Sequence, residues 1–191
     1  MLTFNARGHE YLFAGTRVIS VTQALAPLMD LSRIPPERLE YKRQVGTAMH
    51  KAAELDVQGL LDEDSLHPVL APYFAAWRKF RAECRIENVV AEKPLYSKLY
   101  HFAGTPDLVC LVKRVPSIID LKCSVDIRPV TALQTAGYQI LAEDNGQPIK
   151  ARYAISLRED GRYQMVEYRR RTDRSVFLCQ LNVVKWVRSN Q

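Results

Sequence analysis

The chain has 191 residues, 47% of them hydrophobic and 25% charged, with a formal net charge of +6. This is the composition of an ordinary globular protein with enough chain for one substantial core. No apolar run approaches the roughly 20 residues that cross a bilayer, and the phosphate-cradling pattern G-x-x-x-x-G-K-[ST] is absent, which argues against a nucleotide-driven motor.

Residues 2–19 alternate short apolar stretches with turn signals at Arg7-Gly8-His9 and Ala14-Gly15-Thr16, a pattern that predicts a small β-hairpin or meander. Ser20-x-x-Gln23 fits a capping box that opens a helix through Ala24, Leu25 and Leu28. Ile34-Pro35-Pro36-Glu37 then leads into a second helix, with proline and an acid in its first turn. That helix runs from Glu37 to about Leu61, apolar at Leu39, Val45, Met49, Ala53 and Leu60, and stops at the polar break Asp62-Glu63-Asp64-Ser65. Val69, Leu70, Tyr73, Phe74, Trp77 and Phe80 follow at helical spacing. Their amphipathic stripe suits a core better than a base-stacking platform.

From Ile86 to Cys123 the pattern changes. Val89–Glu92, Leu95-Tyr96, Leu108–Val112 and Ser117–Ile119 suggest three strands with short turns. A helix spans about Val130 to Glu143 and ends at Asp144-Asn145-Gly146. Arg152–Leu157 and Arg162–Tyr168 flank Glu159-Asp160-Gly161, a hairpin signature. A final helix runs from about Asp173 to Arg188, apolar at Phe177, Leu181, Val184 and Val187. With no repeat, low-complexity tract or long linker, a single domain over residues 1–191 is expected, divided into a hairpin and helix (1–36), a core (37–168) and a closing helix (169–191). The order predicts a mixed α/β fold with helices on both faces of a mixed sheet.

Several polar residues interrupt these elements. Asp120-Leu121-Lys122 ends the apolar run from Val115 to Ile119. Strand residues i and i+2 share a face, so the Asp120 carboxylate and the Lys122 ammonium point the same way. Exposed strands often carry such a pair, and its meaning depends on what surrounds it. Asp107 ends Gly104-Thr105-Pro106-Asp107, which equally suits a plain turn. His50 lies on the second helix, with Gly46 one turn earlier, where backbone or substrate has room to approach. Glu54 lies one turn later on the same face, although a single helical histidine is more often a surface or core residue than a ligand. Gln134 and Tyr138 stand one turn apart on the helix after Lys122, and Glu92 falls mid-strand, where a carboxylate is disfavoured unless exposed or used. Paired carboxylates holding a divalent metal, with an ammonium alongside, meet the demands of phosphodiester hydrolysis: neutralised phosphate charge and a nucleophile made from water.

In chain order these residues form Gly-x-x-x-His, Gly-x-x-Asp, Asp-x-Lys and Gln-x-x-x-Tyr, from Gly46 to Tyr138. The series resembles the PD-(D/E)XK nuclease superfamily, specifically its RecB-like exonuclease branch, and Arg17–Leu25 is similar to the segment that precedes the first motif in phage and prophage members. The resemblance implies a restriction-endonuclease-like αβββαβ core. It also implies a metal-dependent DNA exonuclease acting in phage or bacterial recombination, replication or repair, in the cytoplasm of a bacterial or phage-infected cell. His50, Asp107, Asp120 and the main-chain carbonyl of Leu121 would then hold one or two Mg²⁺ or Mn²⁺ ions. Lys122 would position the attacking water, Gln134 and Tyr138 would support the site and contact substrate phosphate, and Glu54 and Glu92 would be supporting or second-metal residues. The implied partners are DNA and a single-strand annealing or other recombination protein, with no membrane and an open oligomeric state. An imidazole ligand is softer than oxygen, so Mn²⁺ is expected to serve at least as well as Mg²⁺.

Some RecB-like nucleases hold an iron–sulphur cluster through one cysteine before the first motif and three after the last. Here no cysteine precedes His50 and only Cys179 follows Tyr138, so no cluster is expected. The four cysteines are dispersed without a C-x-x-C pair, and the N-terminus has no basic region followed by an apolar stretch; reduced thiols and no secretion signal are expected. The densest basic cluster, Arg169-Arg170-Arg171 with Arg174, reads either as a solvated turn or as a rim tracking DNA phosphates. Trp77, Tyr96, Tyr100 and Phe102 are candidates for stacking on bases, with Tyr100 and Phe102 better placed because they precede Asp107, although Phe102 suits core packing better. Two other functions use the same residues: an endonuclease or structure-selective nuclease on this scaffold, and a non-catalytic DNA-binding or assembly module built on a decayed nuclease.

Overall fold

A computed structural model describes residues 1–5, 8, 10–30, 32 and 34–190. The turn expected at Arg7-Gly8-His9 has both flanking residues, Arg7 and His9, outside the described residues. Strands β1 (Leu2–Asn5), β2 (Glu10–Phe13) and β3 (Thr16–Ser20) form the antiparallel meander. Ser20 then caps helix α1 (Val21–Leu25): its Oγ accepts from Gln23 N–H while the Gln23 side chain accepts from Ser20 N–H, the reciprocal arrangement read from the sequence. This helix is shorter than expected. Pro27 tightens the chain into a single 3-10 turn over Ala26–Leu28, and Leu28 is exposed.

Helix α2 (Pro36–Val57) starts with the expected proline and acid, and α3 (Ala71–Cys84) carries the aromatic stripe into a core. Tyr73, Phe74, Trp77 and Phe80 are all buried, whereas Val69 lies outside. Five strands follow where three were expected: β4 (Ile86–Ala91), β5 (Leu95–Ser97), β6 (Phe102–Gly104), β7 (Leu108–Val112) and β8 (Val115–Lys122). The three-residue β6 is too short to show a periodicity. It forms by pairing with β5 and, in parallel, with β3. Helix α4 (Val130–Asp144), the hairpin β9 (Ala151–Leu157) and β10 (Tyr163–Glu167), and helix α5 (Thr172–Ser189) complete the chain.

Two five-stranded mixed sheets result, one ordered β1-β2-β3-β6-β5 and the other β10-β9-β8-β7-β4. In the second, β8 and β9 are parallel because α4 carries the chain back across the sheet. Its strands bury both faces, as residue alternation requires. Leu108, Cys110, Ile119 and Leu121 pack under α2 and α3, whereas Val109 and Ile118 pack under α1, α4 and α5. The fold is the expected mixed α/β arrangement, with helices on both faces of a sheet whose order contains α-β-β-β-α-β. Among the described residues, no helix is long and apolar enough to cross a membrane.

Candidate active site

The site is built where the β7–β8 ladder ends. That ladder stops at the Leu108–Ile119 pair, and Pro106, with no N–H to donate, cannot extend it. Leu121 is therefore left with main-chain groups that need other partners. The Asp107 carboxylate takes the Leu121 N–H (Oδ2, 2.6 Å), and His50 Nε2 lies 3.1 Å from the Leu121 carbonyl. A carbonyl only accepts, so Nε2 carries the proton and Nδ1 turns toward the carboxylates. Nδ1 lies 3.3 Å from Asp107 Oδ1 and 3.4 Å from Glu92 Oε1.

Glu92 is not mid-strand, contrary to the sequence expectation. It follows the end of β4 with a left-handed backbone (φ 48°), and its N–H donates to the Asp107 carbonyl at 3.1 Å. That turn brings its carboxylate against His50. The ligand atoms of His50, Glu92 and Asp107 all lie within 4.8 Å of one another, a set able to hold a metal ion.

On the other face of β8, Asp120 and Lys122 project together beneath α4. Asp120 is fully buried, and Lys122 Nζ lies 2.6 Å from its Oδ2. The ammonium is close but poorly aligned, so among the described residues neither Asp120 oxygen has a hydrogen bond. Lys122 also donates to Gln134 Oε1 (3.4 Å), and Gln134 Nε2 donates to the Tyr138 hydroxyl (3.2 Å). Gly104 lets α4 come this near. A Cβ there would stand 3.0–3.1 Å from Leu141, Val21 and Tyr138 side-chain atoms. Gly46, by contrast, faces open space.

Burial drives the electrostatics. It pushes the Asp120 carboxyl up to about 6, with Asp107 adding to the push and Lys122 opposing it, and it raises Glu92 against the pull of His50. Burial alone would lower the His50 imidazole, but Asp107 and Glu92 outweigh it and hold His50 well above its usual value. Burial would likewise raise Asp107, yet His50, Lys122 and the Leu121 N–H together keep it below the ordinary carboxylate range. Asp120 and Asp107 thus act on the Lys122 ammonium, and Asp107 and Glu92 on the His50 imidazole. The unpartnered, buried Oδ1 of Asp120, the oxygen-rich donors and one imidazole fit a hard or borderline divalent cation.

The other sequence candidates lie elsewhere. Glu54 is partly buried and bonded to Lys51 (2.7 Å), close enough to Glu92 to raise its carboxyl further. Tyr100 is held by Ser97 Oγ and Lys185, next to the C-terminal end of α4, about 15 Å along that helix from Gln134. Trp77 and Phe102 are completely buried and Tyr96 nearly so, which removes them as stacking surfaces. The arginine segment follows β10. Tyr168 N–H meets the Arg152 carbonyl, whereas Lys122 is level with Ser156, about 13 Å further along β9. Arg169 pairs with Glu167 and Arg174 with Glu143; the Arg170 carbonyl accepts from Arg152, and Arg171 joins the same rim.

Sequence reasoning missed a groove of about 700 Å³ beside Lys122 and Gln134, lined by Arg38, Lys42 and Arg128. The available signal was Arg38-x-x-Tyr41-Lys42, an aromatic residue set among basic ones on one helical face.

No protein-family model matches the chain, and no curated protein matches it at significance. Among solved structures, it is similar to a candidate exonuclease from Eubacterium rectale, with a TM-score of 0.51 and 10% identity over 73% of this chain and 64% of that one. It also aligns with the alkaline exonuclease LHK-Exo from Laribacter hongkongensis (TM-score 0.44, 14% identity, 91% of this chain and 92% of that one). The complex of LHK-Exo with dAMP aligns over the same shares, at TM-score 0.41 and 14% identity. The likeness is one of fold: this chain has a nuclease-like mixed α/β architecture.

Proposed function

We propose that the protein is a divalent-metal-dependent deoxyribonuclease of the PD-(D/E)XK type and RecB-like branch, which degrades DNA from an end in phage or bacterial recombination, replication or repair. One observation carries this reading. Around the main chain of Leu121, Asp107 and His50 meet on one side while Asp120 and Lys122 emerge from the same strand on the other. His50 through Nδ1, Asp107, Glu92 and Asp120 would hold the ion, and the Nε2 bond to the Leu121 carbonyl fixes the imidazole tautomer. A bound divalent cation supplies phosphate charge neutralisation and acidifies water. Lys122, held between Asp120 and Gln134, presents its ammonium to the incoming water and to a phosphate oxygen. Gln134 and Tyr138 support the lysine from α4 and complete the wall against which the phosphate rests.

End-labelled linear DNA and circular DNA, each with Mg²⁺ or Mn²⁺, provide the test. Wild type should release nucleotides from linear DNA and leave circles intact. Lys122→Ala should bind DNA normally but hydrolyse it at least about 100-fold more slowly. If wild type and Lys122→Ala bind DNA equally and both release nothing, the protein is a binding module and the enzymatic reading is wrong.

A further inference from the structure

The groove beside Lys122 runs between the first turns of α2 and residues 123–129, the segment that follows β8. Arg38 and Lys42 stand one turn apart on its α2 wall. Both also line an adjoining hollow of about 580 Å³, together with Tyr41, Tyr73, Glu159 and Asp160. Tyr41 is 51% exposed, on the same helical face as Arg38 and Lys42. Among the described residues neither basic side chain has an ion pair; the nearby Glu40 is taken by Arg43. Arg169 and Arg174, by contrast, are each held by a glutamate. Two unneutralised cations flanking an exposed aromatic ring are the composition that binds a nucleic-acid backbone and stacks on its bases.

We propose that this groove binds a single unpaired DNA strand, with Arg38 and Lys42 on its phosphates and Tyr41 stacked on a base. The inference rests on the nuclease reading and names the form in which substrate reaches the site. The groove's lining favours one strand over a duplex. Met29, Ile34, Leu39, Val125 and Val130 give the groove an apolar lining that unpaired bases can cover and that a duplex, with its bases turned inward, cannot. Residues 38, 42, 46 and 50 form one row along α2 at about 6 Å intervals, leading to His50. Gly46 leaves that row open, with no atom beyond its own stretch of helix within 4 Å of where its Cβ would stand. Arg128 Nη1 donates to the Asp30 carbonyl (3.4 Å), linking the segment after β8 to the residues that precede α2.

Binding of a short fluorescent oligonucleotide, single-stranded or as a blunt duplex, tests this by anisotropy across a salt series in the presence of chelator. Arg38→Ala/Lys42→Ala should reduce the slope of log affinity against log salt by about 1.4, at about 0.7 per single-strand phosphate engaged. Tyr41→Ala should weaken single-strand binding roughly 5- to 150-fold and leave duplex binding unchanged, whereas Tyr41→Phe should bind as wild type. All three side chains are exposed, and unchanged melting temperatures would confirm that the variants fold. Unchanged slope and affinity would overturn the proposal, and equal losses on duplex would overturn its single-strand form. Hydrolysis is not read in this assay. A wild type that binds through the groove yet cuts nothing with metal refutes the nuclease reading alone. Active enzyme with unaltered binding by the groove variants refutes this inference alone.

Discussion

Replacing Arg152 with methionine should be among the most damaging single changes in this chain, although Arg152 touches none of the candidate ligands. Its guanidinium is buried and donates to Asp173 Oδ2 (2.8 Å), the Ala132 carbonyl (2.8 Å) and the Arg170 carbonyl (3.0 Å), joining β9, the start of α4, the arginine segment and α5. Removing one side of a buried ion pair costs about 3–5 kcal/mol, because the other charge remains without compensation. Asp173 lies in the first turn of α5, where the helix dipole offsets up to about 1 kcal/mol of that cost. The two carbonyls deprived of their donor add about 0.5–1.5 kcal/mol each. The net cost is about 5 kcal/mol. At about 2–4 °C per kcal/mol for a chain of this size, the melting temperature should fall by about 10–20 °C. Urea denaturation followed by circular dichroism measures it directly. A companion Asp173→Leu variant and the double variant complete a cycle, in which the double should lose less than the sum of the singles by about 2 kcal/mol or more. A loss below about 1 kcal/mol for Arg152→Met, or strictly additive singles, would refute the argument that this buried pair clamps the start of α4.

Two further outcomes are expected. Mn²⁺ should support hydrolysis at least as well as Mg²⁺ and should raise the wild-type melting temperature by about 5–10 °C at a hundredfold excess over its Kd; His50→Ala should lose most of that shift, and far weaker turnover with Mn²⁺ would count against imidazole ligation. Arg170→Ala/Arg171→Ala should flatten the salt dependence of DNA binding by roughly 0.7 for each phosphate no longer engaged, whereas an unaltered slope would mark these residues as solvated charges of a turn.

Where chemistry depended on spacing within one element, the sequence was readable. Asp120 and Lys122 share a face because a strand repeats every two residues, and Gln134 and Tyr138 meet because a helix brings i and i+4 together. The capping box at Ser20 and the buried stripe through Trp77 follow from the same local rules. Strand β6 was hidden because three residues carry no period, and it exists through partners distant in sequence. Glu92 was misplaced because its strand pattern runs on past Ala91, while a left-handed residue that no local signal marks turns it toward His50.

Local pattern was enough to place the candidate residues on faces of their own helices and strands, whereas their choice as a set came from the resemblance carried by their order. Short-range periodicity is a property of the backbone and needs no knowledge of the fold. Which of those faces meet was settled by the folded arrangement alone. The end of the β7–β8 ladder at Pro106 freed the Leu121 main chain for Asp107 and His50, and the packing of α2 against the segment after β8 opened a basic groove beside Lys122. Neither follows from local pattern, because both depend on where hydrogen bonding stops and on which surfaces the core brings together.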